Sequence, residues 1–265
     1  MDPRSAALAL ALTIGLGCVA PPRELAPGPR NAVDHALWDG LLRAHVRDGV
    51  VDYPALCPTP GRARYLEQLA TAHSPVDAPV ADRLALLMNG YNALAIDLVC
   101  QGRSPETLLG RYGFFMRERV EIAGEAITLW DLEQERIRSI GEPRIHFAIV
   151  CASSSCPKLA SQAFVPGRLD AQLDTVTRAF VNDPTRNRFD PDAGRAELSK
   201  IFSWYEEDFG ITAESDAGAD VGPVGAWIAP WLEDQRAAAA LLAGELDIGS
   251  LPYDWSLNGP RPGED

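Results

Sequence analysis

The class this chain predicts is α+β, a single domain of helices packed around a modest mixed sheet, and three observations predict it. Apolar residues recur at helical spacing over most of the length, while strand-like alternation is confined to short stretches bounded by turn residues. No segment repeats at a fixed period and no block is of low complexity, so arrays and solenoids are excluded. The 265 residues suit one domain with a sizeable core after an N-terminal leader is set aside.

The leader is residues 1–17. Arg4 precedes an apolar run from Ala6 to Leu16 that is too short to span a bilayer, as in a signal peptide. Gly15-Leu16-Gly17-Cys18 resembles a lipoprotein processing site, with Cys18 as the lipid-bearing residue; ordinary cleavage after Ala20 or a retained anchor is the alternative. Residues 18–30, rich in proline and glycine, read as a tether; 31–260 is the domain and 261–265 a tail. The expected location is exported, in the periplasm or cell envelope.

Within the domain, Val33, Leu37, Trp38, Leu41 and Leu42 set a helical period over Asn31 to His45, and Val50 to Tyr53 reads as extended. Arg62 to Ala72 is amphipathic, and Ala81 to Cys100 is the longest helix, stopped near Gly102. Ser104-Pro105-Glu106 starts another. Arg119 to Thr128 turns at Gly124 as a hairpin, and Thr128 caps the helix carrying Leu132, Glu133, Ile137 and Arg138. Ile145 to Cys151 is apolar apart from His146 and predicts an interior strand. Leu169, Leu173, Val176 and Phe180 mark a helix. Asp190 to Gly194 turns between two short strands, followed by a helical Phe202 to Tyr205. Val224 to Ala243 is helical, interrupted near Pro230, and the aromatic Leu251 to Asn258 is too apolar for a loose tail.

Charge excludes one class of partner. The net charge of −13, from 24 basic and 37 acidic residues, argues against nucleic acid and leaves a membrane only through the lipid anchor. Besides Cys18, the cysteines are Cys57, Cys100, Cys151 and Cys156, which allow three pairings. An exported protein permits disulfides, and a small bridge between Cys151 and Cys156 is their structural reading. Zinc-ligand spacings are missing, so neither metal nor cofactor is expected.

The chemistry concentrates in Arg144 to Pro157, where the predicted strand meets a small-residue loop with two thiols. Cys156, followed by Pro157, suits a helix N-terminus that favours thiolate. His146 is then its base, with Glu133 or Asn92 orienting the ring. Asn89 and Asn92, three apart on the long helix, project together, either toward a substrate or onto neighbouring backbone as a bracket. Arg138 can hold a carboxylate or phosphate, or form an ordinary ion pair. The strand itself opposes this scheme. At about 3.3 Å per residue His146 lies roughly 16 Å before its end, on the face opposite Cys151.

Asn89-Gly90-Tyr91-Asn92-Ala93-Leu94, Glu133 with Ile137-Arg138, Pro143 to Ala148, Ser155-Cys156-Pro157, Lys200-Ile201-Phe202 through Trp204-Tyr205 to Asp208-Phe209, and Tyr253 to Asn258 occur in that order. Together, from about Trp38 to Asn258, they resemble the domain-of-unknown-function family DUF547. The resemblance implies that Asn89, Asn92, Glu133, Arg138, His146, Cys156 and Pro157 occupy motif positions and cluster in space. It implies no activity, because none is established for the family, and the likeness to papain-type enzymes is analogy, with the cysteine and histidine in reversed order.

Two readings follow. The first is a thiol-dependent hydrolase or acyl transferase with Cys156, His146, Glu133 and Asn92 as catalytic residues and Asn89, Arg138 and Ser155 binding substrate. The second is a module that binds a small molecule or peptide without catalysis, with structural cysteines and a disulfide between Cys151 and Cys156. A metal site from His146, Glu133 and Cys156 ranks third.

Overall fold

A computed structural model describes residues 33–72, 78–210 and 222–263. Residues 1–32 lie outside it, so the signal segment, Cys18 and the tether are not described, nor are 264 and 265 of the tail. The class is α+β, as predicted: helices dominate, with two small hairpins and one three-stranded mixed sheet.

Helix α1 (Ala36–His45) leads into strands β1 (Val46–Arg47) and β2 (Val50–Val51), then α2 (Tyr53–Leu56), capped by Asp52 Oδ1 accepting from the Ala55 N–H at 3.1 Å. This short cap ends the predicted extension at Val51. Helix α3 (Pro60–Ala70) starts with proline at its first turn, where the missing N–H costs nothing. Helix α4 (Val80–Cys100) is apolar nearly all round and is buried along most of its 21 residues, which makes it the axis of the domain. Hairpin β3 (Arg119–Ile122) and β4 (Glu125–Thr128) crosses it at Gly90, where a Cβ would collide with Ile122 Cδ1. The hairpin turn is hung from α3, with Ala123 N–H on Leu69 O and Gly124 N–H on Ala70 O, both at 2.8 Å.

The helix expected from Ser104 begins later, as α5 (Leu108–Tyr112), because Thr107 supplies the cap, its Oγ1 accepting from the Gly110 N–H at 3.0 Å, while Ser104 bonds Glu106. A π-turn, Gly113–Arg117, continues it. Thr128 caps α6 (Leu129–Asp131) as predicted, and the chain runs on through a π-helical stretch, Leu132–Ile137, and a 3-10 turn, Arg138–Ile140.

The predicted interior strand over Ile145 to Cys151 does not form. Pro143–Phe147 is a 3-10 helix, with Glu142 capping the Arg144 N–H. Its apolar character has another cause: Ile145 and Ala148 belong to an N-terminal core built on α1 to α4, whereas Phe147 joins a second core of Phe180, Phe202, Phe209 and Ile228. A short run buried on both sides carries no period that separates strand from helix. Arg144, buried in this turn, is held at 2.8 Å by Glu142 and Asp170 and also pairs with Asp174.

Helix α7 (Leu169–Val181) follows, then β5 (Arg188–Asp190) and β6 (Arg195–Leu198) around the predicted turn. Helices α8 (Lys200–Trp204), α9 (Glu206–Gly210), α10 (Gly222–Ile228) and α11 (Gln235–Leu242) build the second core, with the expected interruption at Ala229–Trp231. Strand β7 (Asp247–Ser250) adds in parallel to β6. Residues 251–258 then return across the cysteine loop, bridging Ser153 to Leu257.

Candidate functional site

The π-helical stretch turns Glu133 inward, into a nearly closed position. Tyr91 of α4 donates to its Oε2 at 3.3 Å, and Tyr205 acts on it electrostatically. Burial raises the Glu133 carboxyl above its ordinary value, against the pull of Tyr205, His146, Tyr91 and Arg138. One turn on, Arg138 forks onto Asp208 of α9, Nε to Oδ2 at 2.6 Å and Nη2 to Oδ1 at 2.8 Å, and lies 5.1 Å from the Tyr205 ring. Gln134 takes another of its N–H groups.

His146 shares the same carboxylate: its Nε2 is 2.6 Å from Asp208 Oδ2. Its ring stacks on Tyr205 at 4.0 Å and tilts against Phe209 at 5.6 Å. Although burial opposes ionisation of Asp208, the His146 and Arg138 contacts win and hold the carboxyl well below the usual carboxylate range.

Cys156 is reached through Tyr253 instead. It forms a disulfide with Cys151, and the Tyr253 hydroxyl lies 3.3 Å from Cys156 Sγ, 3.4 Å from Cys151 Sγ and 3.0 Å from Ser153 Oγ. Burial pushes the Tyr253 phenol up to about 12, and the negative potential of Glu133 acts in the same direction. The Cys151 N–H also points at Cys156 Sγ, at 3.0 Å. Among the described residues no hydrogen bond joins His146 to Cys156, and Pro157 opens no helix. The thiolate expected at a helix N-terminus is therefore replaced by a sulfur inside a closed loop.

The asparagines act as brackets. Asn92 Nδ2 donates to Ala148 O at 2.9 Å and its Oδ1 accepts from the Val150 N–H at 2.8 Å; Asn89 does the same to Phe164, at 2.8 and 3.0 Å. Neither amide faces His146 or an open cleft, so α4 clamps both ends of the segment carrying the cysteines. Ser155 is likewise spent on the fold, its Oγ accepting from the Asp254 N–H at 2.8 Å and its own N–H bonding Asp254 O. Among the described residues no group of three or more His, Cys, Asp or Glu side chains is placed to hold a metal.

Glu133, Arg138 and His146 are thus brought together around Tyr205 and Asp208, Cys156 is instead bonded to Cys151 and approached by Tyr253, and Asn89, Asn92 and Ser155 brace the surrounding backbone. Tyr91, Tyr205, Asp208 and Tyr253 were not singled out from the sequence as site residues. Their signal was present in the ordered blocks, but separations such as 62 residues for His146 and Asp208 hide the pairing. Outside this network Trp204 is 47% exposed, packed 4.7 Å from Tyr253 and 5.8 Å from Trp255, so an aromatic shelf opens beside the cysteine loop.

Residues 77–181 match the family DUF547, described as proteins of unknown function. The DUF547 match spans α4 to α7 and so contains Asn89, Asn92, Glu133, Arg138, His146 and the cysteine loop. Tyr205, Asp208 and Tyr253, which complete the network, come from beyond it. No curated protein and no solved structure matches the chain.

Proposed function

We propose that the chain is a ligand-recognition module, taking a small molecule or peptide against the shelf of Trp204, Tyr253 and Trp255. The observation that carries this reading is how the two expected reactive groups are spent. The His146 Nε2 rests on Asp208 and the Cys156 sulfur on Cys151, so base and nucleophile are both engaged, whereas Trp204 is 47% exposed. Buried polar groups fixed by one another give a rigid floor, and rigid aromatic rings supply contact area at little entropic cost. The test is a tryptophan-fluorescence titration of the unreduced protein with short peptides and saccharides. Saturable quenching that Trp204→Ala abolishes is the expected result. An acyl-ester turnover that survives without reductant and disappears in Cys156→Ser would replace this reading by the enzymatic one.

A thiol-dependent hydrolase or acyl transferase is the second reading, favoured by the two donors aimed at Cys156 Sγ, which would stabilise a thiolate once the disulfide opened. It requires ester turnover that appears only after reduction. Export and lipidation at Cys18 are proposed from the leader: the protein partitions into detergent phase, and Cys18→Ser releases it to the aqueous phase. Aqueous partition of the unaltered protein would remove the anchor.

A further inference from the structure

The cysteine loop differs from the other disulfide of this molecule in a way that bears on chemistry. Cys57 and Cys100 tie the end of α2 to the end of α4 across 43 residues, and neither sulfur has a polar partner among the described residues. Both pairs are partly accessible, through Cys57, Cys100 and Cys151, so access alone does not separate them. What separates them is the sulfur that would leave. Cys156 is buried, 3% exposed, and its Sγ faces the Cys151 N–H at 3.0 Å and the Tyr253 O–H at 3.3 Å. Arg186 donates from Nε to Cys156 O at 3.1 Å, as Arg62 does to Cys57 O at 3.0 Å, so an arginine on the cysteine carbonyl does not separate the pairs; the donors on the sulfur do. Hydrogen-bond donors on a sulfur favour its thiolate, and a better thiolate is a better leaving group.

The loop is also held without its disulfide. Asn92 fixes 148–150 and Asn89 fixes Phe164. The returning C-terminal segment fixes the middle, with Ser154 N–H on Ser256 O at 2.7 Å, Ser155 N–H on Asp254 O at 3.1 Å and Asn258 N–H on Ala152 O at 3.1 Å. Opening the bond therefore leaves the two sulfurs near each other, ready to close again.

We propose that Cys151 and Cys156 form a reversible thiol–disulfide exchange site whose reaction partners are dithiols and disulfides, with Cys151 as the exchanging sulfur and Cys156 as the resolving one. A thiolate of the incoming dithiol attacks Cys151 Sγ; a new sulfur–sulfur bond forms, the old one breaks, and its electron pair goes to Cys156, which leaves as thiolate. The second thiolate of the dithiol then attacks its own sulfur in the mixed disulfide and expels Cys151. The dithiol is oxidised to a disulfide, the pair is reduced, and the two protons lost by the dithiol appear on the two cysteines. In the other direction Cys151 attacks a substrate disulfide and Cys156 resolves it. None of these steps depends on the ligand-recognition reading.

The experiment uses the full chain, purified oxidised. It is exposed to graded dithiothreitol, quenched in acid, alkylated and mapped by mass spectrometry; a parallel sample receives glutathione alone. Cys151 and Cys156 are expected to become labelled while Cys57–Cys100 remains closed, and the glutathione adduct is expected on Cys151. Tyr253→Phe should slow opening on the order of tenfold, the loss of one hydrogen bond to a charged acceptor. Simultaneous or earlier opening of Cys57–Cys100, or an adduct on Cys156, overturns the proposal. So does a Tyr253→Phe rate equal to the unaltered one; if that variant does not fold, the position of the adduct in the unaltered protein decides. The fluorescence titration reads ligand recognition separately, so the two ideas fail independently.

Discussion

Replacing Asp208 by alanine removes one carboxylate that serves both Arg138 and His146. Arg138 loses both arms of its fork, at 2.6 and 2.8 Å, and His146 loses its Nε2 partner at 2.6 Å. The losses are unequal. The side chains of Arg138 and Asp208 are 20% and 18% exposed, so the guanidinium recovers part of its hydration, whereas His146, at 1%, does not. An unsatisfied buried polar group costs roughly 1–3 kcal/mol, and a partly screened charge-assisted pair adds about 1–2 kcal/mol. The expected total is about 2–5 kcal/mol at pH 7, measured by urea denaturation of both proteins. The pH dependence gives the sharper check. Asp208 is depressed in the folded state, so its contribution is complete above the unfolded carboxyl value and is lost as pH falls through the folded value. Between pH 4 and pH 3 the gap between unaltered and variant protein should narrow by about 1 kcal/mol, as the unfolded carboxyl takes up its proton near 3.9. A gap below about 0.5 kcal/mol at pH 7, or one that stays constant down to pH 3, refutes the reasoning.

Glu133 titrates with the opposite sign. Its folded value is raised, so the stability linked to its neutral form is present below the ordinary carboxyl value and is lost as pH rises through the folded one. Glu133→Gln should therefore melt higher than the unaltered protein at pH 7 and alike at pH 4, by calorimetry; a lower melting temperature at pH 7 would contradict burial as the governing cause. Asn92→Ala leaves the Val150 N–H and Ala148 O without their side-chain partner, at a cost of about 1–3 kcal/mol, and hydrogen exchange should quicken at Val150 before it does in α7.

What the sequence disclosed follows the range of the forces involved. Helix α4, the β3–β4 hairpin, the Thr128 cap and the turn between β5 and β6 are set by neighbours within a few positions, and each was readable from spacing. The 3-10 turn at Pro143–Phe147 was not, because its uninterrupted apolar run reflects burial between two cores built by distant segments. The two asparagines were readable only as a choice between bracket and site, and backbone contacts with Phe164, Ala148 and Val150, far along the chain, decide for bracket. Of the motif residues expected to cluster, Glu133, Arg138 and His146 lie around Tyr205 and Asp208, whereas Asn89, Asn92 and Pro157 do not. The motif blocks carried no indication that Asp208 would join Arg138 and His146, or that Tyr253 would stand over the cysteines, since those contacts exist only once the second core has folded.

The placement of Ile145 in one core and Phe147 in the other leaves His146 at the seam between them. Any slip of one half of the molecule against the other must rotate that short turn. The imidazole would turn with it, together with the carboxylate and guanidinium it is bonded to.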